Sequence, residues 1–123
     1  LPTLAAPYRT LQQEPIRQLA RTAQQRKGSA QVLYVLGKPL YSVVPVANLP
    51  TIFGSPLKTA ALRPTSSYRN WQRHGHDPEA LVLGPCRQIN QLKQAPAIAV
   101  RLLEQRDNIC LAHWQRLNAP DGR

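Results

Sequence analysis

His74, His76, Cys86 and Cys110 supply two imidazoles and two thiols, the ligand types that a tetrahedral zinc ion accepts. Their spacing does not suit it. Structural zinc sites usually draw ligands in pairs about two to four residues apart, whereas 23 residues separate the two cysteines and one separates the histidines. No metal and no cofactor are expected. The cysteines could be joined in a disulfide, but nothing else marks a secreted chain, and the expectation is two reduced, buried thiols in a cytoplasmic protein. No nucleophile elbow, phosphate loop or carboxylate pair surrounds the histidines. The acids Glu14, Asp77, Glu79, Glu104 and Asp107 fall where helix ends or salt bridges would use them. The chain is therefore read as a non-enzyme.

The run from Tyr68 to His76 interleaves Tyr68 and Trp71 with Arg69, Arg73 and two histidines. Aromatic faces beside cations are what single-stranded nucleic acids require, bases stacking while the backbone is neutralised. Two roles are open for Trp71: an exposed stacking platform, or a side chain folded back to cap the core.

Charge points the same way. The 123 residues hold 16 Lys and Arg against 6 acids, a net +10. Residues 1–76 carry ten of those bases and only Glu14 as an acid, while residues 77–123 are close to neutral. Twelve of the sixteen bases are Arg, whose planar fork grips phosphate oxygens in pairs as an ammonium cannot. Phosphate contacts are expected from Arg17, Arg21, Arg26, Lys27, Lys38, Arg63, Arg69 and Arg73, with Tyr68 and Trp71 as stacking candidates. The partner expected is DNA or RNA. The competing expectation is an assembly or adaptor subunit whose basic face docks an acidic protein.

Several elements must position these groups. Residues 1–13 hold prolines and small side chains and read as an extended arm, ahead of a single domain over 14–123. From Glu14 to Lys27, Ile16, Leu19, Ala20 and Ala23 recur at helical spacing while Arg17, Arg21 and Gln24 face away, and Gly28 stops the helix. Gln31–Leu36 and Leu40–Val46, joined by Gly37-Lys38-Pro39, predict a β-hairpin. Asn48–Phe53 could add one helical turn, and 54–77 reads as a long basic loop. Asp77-Pro78-Glu79 predicts a helix start, and Cys86–Gln94 a further helix. Ala99, Leu102, Leu103, Arg106, Cys110, Trp114 and Leu117 lie on one helical stripe, the alternative being a helix that ends near Arg106 followed by a strand over Ile109–Trp114. A homodimer would bury the apolar positions of that stripe, Ala99, Leu103, Cys110 and Leu117. No stretch has the roughly 18–20 continuous apolar residues that a membrane crossing needs.

Ile16–Phe53 resembles the N-terminal part of prevent-host-death (Phd/YefM-like) antitoxins. The likeness lies in a helix with Ile16 and Leu19, the Gly28-Ser29 link, a strand Val32–Leu36, the turn Gly37-Lys38-Pro39, a strand Leu40–Val46 with Val43-Val44-Pro45, and Asn48-Leu49. The resemblance covers about a third of the chain. It implies a small dimeric α/β unit that binds operator DNA and represses its own operon. Together these readings predict an α+β fold, a small antiparallel sheet built on a central β-hairpin, with a basic helix before it and helices after it.

Overall fold

The computed structural model describes residues 5–37, 43–57, 68–75 and 77–117. Lys38, Arg63 and His76 lie outside them. The fold is α+β, with helices on both faces of a five-stranded mixed sheet.

Helix α1 spans Ala5–Gln25, so the expected arm over 1–13 is helical from Ala5 onward. Pro7 falls in its first turn, where amide hydrogens have no intrahelical acceptor and the missing one costs little. Pro15 sits inside the helix rather than opening it. The stop at Gly28 is as expected, its φ of 56° lying in the left-handed region.

Among the described residues the hairpin expected over 31–46 is not formed; residues 38–42, with Lys38 and Pro39 of its turn, lie outside them. Strand β1 is Leu33–Val35, and the expected second strand is replaced over Val43–Ala47 by helix α2. Val43 and Ala47 are fully buried in one cluster with Leu19, Ala20 and Ala23 of α1. That packing outweighs the modest strand preference of three valines, and Pro45 lies in the first turn of α2, where no amide hydrogen is needed. Asn48 follows with φ 53°, and the chain enters strand β2, Thr51–Phe53, in place of the expected helical turn. Within the expected loop over 54–77 lies helix α3, Tyr68–His74. Asp77-Pro78-Glu79 opens no helix. It leads into strand β3, Glu79–Pro85, because Ala80 to Gly84 are buried on both faces of the sheet.

Helix α4, Cys86–Lys93, follows at once, as expected. The stripe beyond it is a hairpin, strand β4 over Ile98–Arg106 and strand β5 over Ile109–Arg116, turning at Asp107 with φ 54°. The strand that the alternative reading places over Ile109–Trp114 is formed, but the helix that the same reading ends near Arg106 is strand β4 instead. The stripe itself is dispersed: Ala99 and Leu117 are exposed, Leu103 packs against the core, and Cys110 is buried.

Strand order is β2-β1-β3-β5-β4. β1 lies parallel to both β2 and β3, and β5 pairs antiparallel with β3 and β4. The sheet is mixed, and its hairpin forms one margin rather than the centre. On the first face, Leu33, Val35, Leu81, Leu83 and Leu111 pack under α1 and α2. On the second, Tyr34, Ile52, Val82, Ala112 and Trp114 pack with Ile89 and Leu92 of α4 and with Trp71 of α3. Each such large side chain withdrawn from water contributes roughly 1.5–3 kcal/mol.

Cys86 and Cys110 form a disulfide, which corrects the expectation of two free thiols. Cys86 opens α4 directly after β3, and β5 runs beside β3 with Cys110 opposite Gly84, so their Cα atoms stand 4.9 Å apart, within bridging range. No helix among the described residues is long and apolar enough to cross a membrane.

Candidate functional site

Two cavities lie at opposite edges of the parallel strands, and sequence candidates line the first of them. At the amino edge of β1 and β2, a groove of about 460 Å³ is lined by Lys27, the turn Gly28–Gln31, Asn48, Leu49, Pro50 and His74. Lys27 comes from just beyond α1 and His74 from the last turn of α3. The two basic segments singled out in the sequence thus reach one groove from opposite faces of the sheet. Arg26 and Arg73 adjoin them in the chain, and both are exposed.

Arg17 and Arg21 are exposed one turn apart on α1, about 6 Å along its axis. They lie away from the side carrying Leu19, Ala20 and Ala23, which packs on the sheet. Among the described residues neither Arg17, Arg21 nor Lys27 is in an ion pair. Arg26 donates to the Leu103 carbonyl at 3.4 Å, which anchors the end of α1 beside β4. Arg69 is exposed on α3, and Tyr68 is its first residue. Trp71 is half-buried against the second-face core, so of the two roles open to it the structure shows core packing.

Carboxylates nearby are engaged with other partners. Asp77 takes the Nδ1 of His74 at 3.0 Å, which turns that imidazole's Nε2 away from the pair. Glu79 accepts from the Ser29 hydroxyl and meets His113 Nε2 at 2.5 Å. Those two partners, the hydroxyl first, hold the Glu79 carboxyl below the usual carboxylate range. Glu104 is lowered in the same way by Arg106, at 2.6 Å, and then by the Thr22 hydroxyl at 2.8 Å. Ser29 and Glu79 tie the turn after α1 to the start of β3, so the groove wall is fixed. Sequence reasoning missed this cluster, because nothing in spacing alone joins residues 29, 79 and 113.

At the carboxyl edge of the parallel strands lies a second cavity, of about 430 Å³, lined by Leu36, Ser55, Leu57, Leu92, Arg87, Gln88 and Gln91. None of these residues was singled out in the sequence. Signal for them exists only in the topology, which a single sequence does not display. Among the described residues there is no group of three or more His, Cys, Asp or Glu side chains that could hold a metal ion. His74 stands in the amino-edge groove, while Cys86 and Cys110 are consumed in their disulfide. No protein-family model, no curated protein and no solved structure matches this chain.

Proposed function

We propose that the protein is a non-catalytic nucleic-acid-binding protein, and that its contact surface is the amino-edge groove together with the outward side of α1. One observation carries the reading: Lys27 and His74, from two basic segments remote in sequence, line the same groove. A polyanion laid along it would meet Lys27 and His74 inside, with Arg73 beside them and Arg17 and Arg21 continuing up α1, while Arg26, held on the Leu103 carbonyl, lies toward β4. Guanidinium groups about 6 Å apart along a helix can engage separate phosphates of one strand. Each engagement releases condensed counterions, which gives affinity that falls steeply with salt. Asn48 and Gln31 add amide donors and acceptors at the groove, able to bond to sugar or base edges.

Fluorescence anisotropy with labelled single-stranded RNA, single-stranded DNA and duplex DNA, each across a salt series, tests this. Polyglutamate serves as the acidic control. Binding of one nucleic acid well above the control, with a steep salt slope, is the expected result. Duplex DNA is the arm that examines the operator-binding, autorepressor role implied by the antitoxin resemblance of residues 16–53. Binding no tighter than to polyglutamate overturns the reading and favours the adaptor alternative, in which the same cations meet an acidic protein.

A further inference from the structure

The amino-edge groove leaves the opposite edge of the sheet unexplained. There β1 sits between two parallel neighbours whose chains depart to the face opposite to its own. The connection after β1 leads to α2 on the first face, while those after β2 and β3 lead to α3 and α4 on the second. In open sheets with parallel strands, such a reversal leaves a crevice outside the carboxyl ends of the strands, and ligands bind there.

In this protein the crevice is occupied by the cavity of about 430 Å³, within the roughly 300–1,000 Å³ of small-molecule sites. Its lining divides by chemistry. Leu36, which is buried, together with Leu57 and Leu92 provides an apolar wall; Leu57 is 49% exposed, high for a side chain of its size. Arg87, Gln88 and Gln91 present a guanidinium and two carboxamides along one side of α4, and Ser55 adds a hydroxyl opposite. Among the described residues Arg87 has no carboxylate partner. The Cys86 amide is already donated to the Asn108 carbonyl at 2.8 Å, so the side chains rather than the first helical amide make the site. The disulfide fixes Cys86 beside Arg87 and so fixes where that guanidinium starts.

We infer that this cavity binds a small phosphorylated molecule of mononucleotide size. Its phosphate would sit on Arg87, its ring on Leu36 and Leu57, and its polar edge on the amides of Gln88 and Gln91. A guanidinium fork pairs with phosphate oxygens in a bidentate way. Each carboxamide offers both a donor and an acceptor, the combination needed to read a base or sugar edge. This site is separate from the proposed nucleic-acid surface and goes beyond it, since it faces the other edge of the sheet.

Isothermal titration calorimetry with the four nucleoside 5′-monophosphates, the matching nucleosides, inorganic phosphate and succinate tests the inference on the whole chain. At least one monophosphate is expected to bind below about 1 mM, with its nucleoside and succinate much weaker. Arg87→Ala should weaken it by about tenfold or more, as removal of a charge-assisted hydrogen bond would. Lys93→Ala, which removes an equal charge from the far end of the same helix, should change it less than about twofold. Three results would each overturn the inference: no monophosphate binding, equal weakening in the two variants, or displacement of the monophosphate by an oligonucleotide held in the amino-edge groove. Its failure is distinguishable from failure of the nucleic-acid reading, because the ligands and the altered residues differ.

Discussion

Lys27, just past the end of α1, and His74, the last residue of α3, line one groove although their helices cover opposite faces of the sheet. Both helices end at the amino edge of β1 and β2, which is why the convergence occurs. If the groove and α1 hold phosphates, Arg21→Ala with Lys27→Ala should weaken oligonucleotide binding. It should also reduce the logarithmic salt slope by about 0.7–0.9 for each phosphate that is no longer neutralised. Arg69→Ala with Arg73→Ala reports on the α3 side in the same assay. An unchanged slope in both double variants would remove these cations from the interface.

Reduction of the Cys86–Cys110 disulfide should lower thermal stability. The bridge spans a sequence separation of 24, for which loop-closure entropy gives roughly 3–4 kcal/mol. Comparing melting of the oxidised protein with that of Cys86→Ala/Cys110→Ala measures it. A melting temperature that does not move would show that pairing within β3, β4 and β5 alone holds the start of α4. Free-thiol titration of the purified, unfolded protein checks the bridge itself, and two reactive thiols without reductant would contradict it.

How much of this was legible in the sequence varies with how locally each element is specified. The stop of α1 at Gly28 and the span of α4 were readable, since a left-handed glycine and a short amphipathic run declare themselves. The β4–β5 hairpin was disguised. Its register shifts between Leu102 and Glu104, and such a bulge sets two neighbouring leucines where strict alternation would set one. The resulting positions 99, 102, 103 and 106 imitate helical spacing. Helix α2 was hidden for the opposite reason, because its strand-favouring valines are overruled by burial against α1. The cations on α1 and α3 were legible one by one, but their meeting place depends on a parallel topology. Arg87 likewise gains its place at the carboxyl-edge cavity only through that topology.

Gly84→Ala tests how tightly the carboxyl edge is built. A Cβ placed there would stand 2.7 Å from the Cβ of Leu36, with no flexible atom able to yield. Since β1 and β3 are held together there by the Leu36 amide on the Leu83 carbonyl at 2.8 Å, the strands cannot part without breaking that bond. The substitution should cost about 1–3 kcal/mol, the range for overpacking, measured by chemical denaturation. A variant as stable as the parent would mean that Leu36 and Gly84 have room between them for a methyl group.

Acid should weaken the tie between Ser29, Glu79 and His113. The Glu79 carboxyl is held below its usual value by the Ser29 hydroxyl and then by His113. Its folded form therefore favours the ionised state more than the unfolded chain does. The contribution is fully present above the ordinary carboxylate value, about 4.5, and is lost as pH falls through the lower folded value. The cluster is partly exposed, so its worth should be no more than about 1 kcal/mol. The melting difference between the parent and Glu79→Gln should then favour the parent at neutral pH and close as pH drops below about 4. Glu104, lowered by Arg106 and Thr22, is unchanged in both proteins, so its titration cancels in the difference. A gap that widens with acid would mean that the Glu79 carboxyl is not stabilised in its charged form by these two neighbours.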